Sequence, residues 1–274
     1  MTSLTLRLHA DAPAGLELGA LTPSALSGKS VAQLARLRIP HGSRTSALGA
    51  LFDISGEDVM NLRLLGLNHS CHHVGRDMQA GQLEVRGTVG MELGRDMSGG
   101  QIKLRGNAGD GVALGMRGGQ IEISGDVGER AGGATPGATR GMNEGTLIVH
   151  GNAGAHLGER MRRGLILVGG DCGRYCGDRM IAGSIVIFGK CAGDVGHGMR
   201  RGTLMLAEMP QRVPALFNDC GEFELGFVPV FARHVASLNK RMGRQLAIFR
   251  RASRWCGDMA QGGHGELLIA GARD

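Results

Sequence analysis

A methionine that returns every 19 residues constrains this chain more than any other feature of its sequence. It stands at positions 78, 97, 116, 142, 161, 180 and 199, and every step is 19 residues except one of 26. Each of these methionines is followed three residues later by glycine. Copies this regular predict a repeat architecture, in which each unit stacks on its neighbours because it cannot bury its apolar face alone.

Every repeat unit contains a predicted strand. The fifth and seventh residues after each methionine are apolar in all copies, as in Leu83 and Val85 or Ile185 and Ile187. Residues two apart share one face of a strand, so each pair predicts an inward apolar face. A path of roughly 60 Å per repeat fits one coil of a triangular solenoid. We therefore expect an all-β fold, a right-handed parallel β-helix of about seven 19-residue coils, because parallel crossovers are overwhelmingly right-handed.

The composition fits such a core. Glycine accounts for 49 of 274 residues and aromatic residues for only 3%, so aliphatic residues and methionine must fill the interior. The single 26-residue step places a seven-residue insertion within Gly128–Arg140. This insertion is predicted to be a surface loop or, alternatively, a contact with a partner or ligand.

Three segments are expected along the chain. They are an N-terminal cap over residues 1–60, the repeat domain over 61–208, and a C-terminal helix with a closing segment over 209–274, packed as one domain. Caps are expected because a stack of coils exposes unpaired strand edges at both ends.

The C-terminal segment carries two further patterns. Apolar residues at helical spacing predict one amphipathic helix that starts near Pro229 and stops at Gly243. The stretch 259–270 repeats the methionine, glycine and apolar strand pattern, and it predicts one additional, detached coil.

The outward face of the coils changes character along the chain. The sixth residue after the methionine is charged in three early coils and apolar in the later ones, which gives an outer strip of Ile148, Leu167, Val186 and Met205. Leaving four such side chains in water would forgo several kcal/mol of burial at about 25 cal/mol per Å². The strip is therefore expected to be covered, either by the chain's own C-terminal helix or by another subunit.

Arginines gather at the corner beside the methionines. Those that follow it are Arg117, Arg162, Arg163, Arg200 and Arg201, and those that precede it are Arg76, Arg95, Arg140, Arg160 and Arg179. Together they predict a basic ridge, which is either a set of solvated turn residues or a track for an extended polyanion. The net charge of +6 would also attract nucleic acid, but few aromatic residues could stack on bases, and no nucleic-acid partner is expected.

No catalytic constellation and no metal site are predicted. His69, Cys71, His72 and His73 form the densest group of potential ligands, but a second half-site is missing, and a capping turn is the preferred interpretation. Cys172 and Cys191 lie 19 residues apart and should share a column as small buried side chains. Without an apolar run of membrane-spanning length or an N-terminal signal pattern, we expect a cytoplasmic protein with no membrane partner.

The repeat resembles a known family. The motif in Gly94–Gly109, with Met97 followed by Gly100, Gly106 and Asn107, is similar to the Gly-x-Gly-x-Gly β-helix family. That family includes the C-terminal domain of glutamate synthase and the C subunit of formylmethanofuran dehydrogenase. The segments LTLRL (4–8), GALFDISG (49–56) and GMRRGTL (198–204) resemble the C subunit specifically, and the tail 218–235 resembles the form found in methylotrophic bacteria.

This resemblance implies a role in one-carbon metabolism. It implies a non-catalytic subunit of a formyltransferase/hydrolase complex that uses tetrahydromethanopterin and methanofuran. Its partners would be amidohydrolase-like, molybdopterin-protein-like and formyltransferase subunits. Because methanofuran-type cofactors carry a glutamate-rich chain, Arg117, Arg162, Arg163, Arg200 and Arg201 become candidate ligands of that tail. The alternatives are a β-helix subunit of a glutamate-synthase-like amidotransferase and a free-standing polyanion binder.

Overall fold

Short strands dominate the computed structural model, which describes residues 2–271. The strands are β1 (Ser3–Leu8), β2 (Leu16–Glu17), β3 (Arg38–His41), β4 (Arg44–Ala47), β5 (Phe52–Ser55), β6 (Asp58–Leu67), β7 (Cys71–His72), β8 (Gln82–Gly87), β9 (Gln101–Arg105), β10 (Arg117–Ile123), β11 (Glu144–Val149), β12 (Leu165–Val168), β13 (Ser184–Ile187), β14 (Arg201–Leu206), β15 (Asn218–Glu224), β16 (Arg251–Gly257) and β17 (His264–Ala270). The α-helices are α1 (Pro23–Leu26), α2 (Val31–Ala35), α3 (Leu48–Leu51), α4 (Val228–Leu238) and α5 (Lys240–Gln245), and two 3-10 helices cover Leu246–Arg250 and Met259–Gln261.

One large sheet of 13 strands holds the repeats together, in the order β5-β1-β6-β8-β9-β10-β11-β12-β13-β14-β17-β16-β15. The strands of successive repeats run parallel and pair at equivalent positions, as in Leu147 with Ile166 and Ile166 with Ile185. Antiparallel pairs occur at both ends, where β5 joins β1 and where β16 joins β17 and β15. A second sheet has the order β4-β3-β2-β7. The fold is all-β with a large, mostly parallel sheet, as the repeat predicted.

A second column of contacts stacks the same repeats. Single parallel bridges connect, in turn, Val89, Ala108, Val127, Ala153, Cys172 and Cys191. Each of these residues is buried and belongs to the same core as the strands. Each repeat therefore contacts the next at two separate places, once through its strand and once through this column.

The methionine and the glycine of the repeat pack against each other between coils. All seven repeat methionines are fully buried. Gly100 has φ +82°, and a Cβ at that position would lie 2.7 Å from the Gly81 carbonyl oxygen and 2.8 Å from Cε of Met78 in the coil before. The same approach recurs at Gly119, where Cε of Met97 would lie 2.7 Å away. Glycine is required there because φ is positive and a Cβ would collide with the backbone of the preceding coil as well as with its methionine.

A ladder of asparagine and aspartate side chains runs along one corner. Asn107 Oδ1 accepts from the Asp126 amide at 2.9 Å, and Asp126 Oδ1 accepts from the Asn152 amide at 2.7 Å. The ladder continues from Asn152 to Asp171 and from Asp171 to Lys190, each at 2.8 Å. These side chains satisfy turn amides that the strand ladders do not reach.

The insertion occupies the second half of the predicted segment. The Met142 amide donates to the Gly132 carbonyl oxygen at 3.0 Å, whereas the Met161 amide donates to Gly158, only three residues earlier. Gly132 therefore takes the place that Gly158 has in the next coil, and the extra residues lie between Gly132 and Met142. The strand register continues unchanged past them, since Ile121 pairs with Leu147.

The chain's own C-terminal segment covers the outer strip. Ile148, Leu167, Val186 and Met205 are at most 1% exposed. They form one apolar cluster with residues of the tail, namely Val228, Val235, Met242, Leu246, Phe249, Ala252 and Leu268. Of the two alternatives for covering the strip, the structure thus confirms the chain's own tail.

The prediction of one continuous C-terminal helix was wrong. Asn239 interrupts it with extended backbone angles of φ −148° and ψ 109°, and α4 ends before it. Its side chain accepts from the Met242 amide at 3.1 Å, so Asn239 is the N-cap of α5. The break lets Val235 and Met242 both reach the outer strip from separate helices.

Both ends extend the large sheet. β1 pairs in parallel with β6, and β17 pairs in parallel with β14, matching Leu204 with Leu267. The structure thus confirms the strand that was predicted for the additional coil. The prediction for its methionine was wrong, because Met259 does not occupy the methionine position of the repeat. Gly262 is equivalent to Met199, and Met259 is 49% exposed. The predicted division at residues 60 and 208 stays a prediction, and residues 272–274 of its last segment lie outside the described range.

Candidate anion-binding site

Three of the predicted ridge residues stack in one column at the corner after the methionine. The amides of Arg117, Arg162 and Arg200 donate to the carbonyl oxygens of Met97, Met142 and Met180, respectively, at 2.7–2.8 Å. Asn143 and Ile181 occupy the same column in intervening coils. Arg162 and Arg200 are therefore two coils apart, about 10 Å by strand spacing, so the column is basic but not continuous.

Carboxylates lie close to the ridge arginines Arg95 and Arg117 of the early coils. Arg117 lies 3.4 Å from Asp96, and Arg95 lies 2.7 Å from Glu92 and 3.2 Å from Asp96. The hydrogen bond and the charge of Glu92 raise the pKa of Arg95. In the later coils, Arg162, Arg163, Arg200 and Arg201 form no ion pair with carboxylates of residues 2–271. The available positive charge is concentrated toward the later coils.

Four arginines of the later coils line one surface recess of about 730 Å³. They come from the insertion and from three successive coils, and the remaining lining residues come from those coils and from the closing segment. The lining is Thr139, Arg140, Arg160, Arg179, Ile181, His197, Gly198, Arg200, Leu216, Asp258, Ala260 and Gln261. We call this surface the arginine recess.

The acidic groups near the arginine recess are already engaged. Asp258 is the single carboxylate among the described residues that line it. Asp258 accepts from the Gly198 amide at 3.1 Å and from the Ala260 amide at 2.8 Å. Asp178 lies beneath, with its Oδ1 2.8 Å from Nδ1 of His197 and its Oδ2 4.0 Å from Arg179. Glu159 lies 3.7 Å from Arg160. The four guanidinium groups still outnumber these three carboxylates, so the recess favours an anion with several charges.

Two of these arginines hold an unusual backbone conformation. Arg160 and Arg179 have φ of +54° and +51°. The equivalent residue, directly before the methionine, is glycine in some coils, as in Gly115 and Gly198, with φ of +62° and +66°, and aspartate in the first two, with φ of +55° at Asp77 and Asp96. Arginine is disfavoured in this left-handed region, so the fold alone does not explain its presence there.

Sequence reasoning found the basic corner but not the recess. Among the five ridge residues assigned as tail ligands, only Arg200 lines it. Arg140, Arg160 and Arg179 were recognised as arginines before the methionine but were not assigned to the site. The signal was available, since Arg160 and Arg179 are 19 residues apart at a position where the other coils have glycine or aspartate.

The side chains of the histidine cluster at residues 69–73 contact different partners. Cys71 is buried in β7, and burial raises the pKa of its thiol. His73 is flanked by Glu17 and by Glu92, which lies 3.0 Å from its Nε2. His72 Nδ1 accepts from the Met91 amide at 3.1 Å. These contacts connect neighbouring turns at the start of the stack, in line with the predicted capping turn.

Cys172 and Cys191 share a column as predicted, because they form a parallel bridge. The sequence did not reveal that Cys176 joins them. The three sulfurs lie within 4.8 Å of one another, and all three residues are buried. Side-chain hydrogen bonds from Cys172 and Cys176 lower the pKa of Cys191, whereas hydrogen bonding to both neighbours and burial raise that of Cys176 well above the usual range.

Comparisons with known proteins agree with the repeat and with its resemblance. The family model named GXGXG motif matches residues 64–220. The C subunit of the formyltransferase/hydrolase complex Fhc of Methylorubrum extorquens is 39% identical over 89 residues, 32% of this chain and 34% of the relative. A chain in the crystal structure of the FhcABCD complex from that organism, in complex with methylofuran, superposes with a TM-score of 0.86 at 37% identity. That match covers 97% of this chain and 99% of the other. This chain belongs to the GXGXG family, in the group formed by the C subunits of formylmethanofuran dehydrogenases.

Other members of the same group also match. The C subunit of tungsten-containing formylmethanofuran dehydrogenase 2 from Methanothermobacter thermautotrophicus is 35% identical over 81 residues, 28% of this chain and 30% of the relative. The alignments with these curated relatives thus span about a third of each relative's length. Among the described residues, no helix is long and apolar enough to cross a membrane.

Proposed function

We propose that this chain is a non-catalytic structural and binding subunit of a formyltransferase/hydrolase complex of the formylmethanofuran dehydrogenase type. The observation that carries the proposal is the match, over nearly the whole of both chains, to a component of the FhcABCD complex. Its partners would be amidohydrolase-like, molybdopterin-protein-like and formyltransferase subunits. The chain itself would supply a rigid stack of coils and a basic surface.

Isolation from the native organism tests this assignment. The chain, tagged at one end, is purified at low salt, and the proteins that elute with it are identified by mass spectrometry and quantified. We expect the three other subunit types in a constant ratio to this chain. A chain that elutes as a lone monomer, with its partners expressed but absent from the fraction, would contradict the proposal.

We further infer that the stacked repeats form a right-handed parallel β-helix. The in-register strand ladder and the second column of bridges support successive coils. Right-handed connection is the rule for parallel strands joined by a crossover, and nothing in a coil of this length favours the opposite hand. An experimental electron-density map at side-chain resolution would decide the hand directly.

The arginine recess is our candidate for holding the polyglutamate tail of a methanofuran-type cofactor. A chain of carboxylates needs several cations at regular spacing, and successive coils provide them roughly 5 Å apart. Arg160, Arg179 and the neighbouring Arg200 supply such a series, and Arg140 adds to it from the insertion. Arg117, Arg162, Arg163 and Arg201 are proposed as outer contacts of the same tail.

Cofactor retention by the complex tests the contribution of Arg200 and of the outer contacts to this role. Replacing Arg162, Arg163, Arg200 and Arg201 by alanine should reduce the methanofuran analogue that co-purifies with the complex by about 10-fold or more, since each charge-assisted contact is worth about 1.5–3 kcal/mol. The ratio of the subunits and the circular dichroism spectrum must be unchanged for the comparison. Full retention in an intact complex would exclude these residues as ligands of the tail.

A further inference from the structure

Three cysteine side chains lie close together inside the stack. The proposed function assigns them no role. Cys172 and Cys176 belong to one coil and Cys191 to the next, and all three are at most 5% exposed. Their sulfurs lie within 4.8 Å of one another. Half of the six cysteines in the chain therefore converge at a single point of the core.

Core packing alone does not require thiol side chains at these positions. The column of Cys172 and Cys191 contains valine or alanine in the earlier coils, at Val89, Ala108, Val127 and Ala153. Cys176 pairs with Val195 in the next coil. Valine and alanine thus fill the same interior elsewhere in the stack, and the thiols are confined to the one place where three can meet.

The arrangement matches the needs of a soft metal ion. With metal–sulfur bonds of about 2.3 Å, the sulfurs of three thiolates around one ion lie about 4 Å apart. The distances between the three sulfurs therefore need to shorten by less than about 1 Å. Zn²⁺ strongly prefers four ligands, and no fourth histidine, cysteine or carboxylate belongs to this cluster among residues 2–271. Soft thiolate ligands favour Cu(I), Zn²⁺ and iron–sulfur clusters. Iron–sulfur clusters, like Zn²⁺, use four protein ligands, so a set of three thiolates fits Cu(I) best.

We propose that Cys172, Cys176 and Cys191 form a three-coordinate thiolate site for a soft monovalent metal ion, of the class of Cu(I). On binding, each coordinating thiol releases its proton to solvent and forms one sulfur–metal bond, and no electron is transferred. Metal–thiolate bonds offset the desolvation of charged sulfur, as they do in other buried thiolate sites. Because the cluster is enclosed, the ion enters when the chain folds or when neighbouring coils open, and it exchanges slowly.

Variants that preserve the core test the site. Cys172→Ala, Cys176→Val and Cys191→Val introduce residues that the same columns already contain, so the triple variant should fold. Cys220 is exposed and Cys256 is half-buried, and both could bind copper independently, so all proteins carry Cys220→Ser and Cys256→Ser. The full-length parent with these two changes is the matched control, and thermal unfolding verifies that both proteins are folded.

The readout is competition for Cu(I) under anaerobic, reducing conditions. Each protein is refolded with Cu(I) and then titrated with bathocuproine disulfonate. We expect the parent to retain one equivalent, with thiolate-to-copper charge-transfer absorption in the near ultraviolet. The triple variant should bind at least about 100-fold more weakly, since loss of ligands exceeds the 10–100-fold effect typical of losing outer-shell partners.

Two results would overturn the proposal. One is equal copper retention by the folded parent and the folded triple variant, including no retention by either. The other is a parent that retains Zn²⁺ stoichiometrically but loses Cu(I) to the competitor. Each single variant should show an intermediate loss of Cu(I) affinity. A single variant that binds Cu(I) as tightly as the parent would show that its cysteine is not a ligand.

Discussion

The backbone conformation of the residue directly before the repeat methionine indicates whether its side chain serves the fold or the arginine recess. In most coils this residue has a left-handed backbone, which suits glycine, as Gly115 and Gly198 show, and aspartate takes the same conformation at Asp77 and Asp96. Arg160 and Arg179 adopt the same conformation at a cost of about 1 kcal/mol each. A residue kept against its backbone preference points to a use of its side chain.

Replacing Arg160 and Arg179 by glycine should therefore preserve or slightly increase stability. We expect the free energy of unfolding in urea to stay within about 1 kcal/mol of the wild type or to rise by up to about 2 kcal/mol. Marked destabilisation would mean that the guanidinium contacts, such as Arg160 with the Ala138 carbonyl oxygen at 3.1 Å, serve the fold instead.

Replacing Gly100, in contrast, should lower the stability of the protein. Gly100→Ala places a Cβ 2.7 Å from the Gly81 carbonyl oxygen at φ +82°, and it should destabilise the protein by about 2 kcal/mol or more. Gly226→Ala is the matched control, because a Cβ there meets nothing within 4 Å. Equal unfolding midpoints of the two variants in chemical denaturation would show that the inter-coil contact of methionine and glycine is unimportant.

At the scale of elements, the C-terminal helices act as the cover of the outer strip. Strands β11 to β14 present apolar residues on both faces, which is the pattern of strands buried on both sides. Helices α4 and α5 and the following 3-10 helix supply the second apolar layer. Without this layer, the later coils would expose an apolar patch that favours association.

A charge introduced into this interface should separate the helices from the sheet. Val235 in α4 is fully buried against the strip, whereas Val230 in the same helix is 61% exposed. We expect Val235→Asp to lower the free energy of unfolding by about 3–5 kcal/mol, because it buries an unpaired carboxylate. Val230→Asp should change it by less than about 0.5 kcal/mol. Urea titration and binding of an apolar dye provide the two readouts, and similar behaviour of both variants would refute this packing.

The sequence predicted the regular elements well because they depend on local patterns. The alternation of Ile185 and Ile187 and the returning methionine determine the strands and their register. The helix break at Asn239 was missed because an asparagine cap within an apolar helical pattern is outweighed by the pattern itself. The asparagine and aspartate ladder was missed although Asn107 and Asp126 occupy one repeat position, since its hydrogen bonds run between coils.

At the scale of the whole molecule, the arginine recess and the three-thiol cluster arise from stacking. The arginine recess combines Arg140 from the insertion with Arg160, Arg179 and Arg200 from successive coils. Periodicity places such residues along one edge but does not show which ones flank a concave surface. Here the insertion and the closing segment form its walls, and their positions depend on tertiary packing. The three-thiol cluster is missed for the same reason, because Cys176 reaches Cys191 only across coils.

Binding of an extended polyanion through the arginine recess is the central property that we propose for this chain. Fluorescence anisotropy of a labelled polyglutamate peptide measures that affinity directly in the full-length chain, at low and at moderate salt. The comparison is between the wild type, Arg160→Gly with Arg179→Gly, and the charge-matched control Arg86→Ala with Arg105→Ala on strands β8 and β9.

We predict that affinity falls with salt, is at least about 10-fold weaker in the recess variant, and changes less than about 3-fold in the control, because local contacts outweigh net charge. Equal weakening in both variants would show that only the overall charge attracts the peptide. Wild-type affinity in a folded recess variant would show that the tail binds elsewhere.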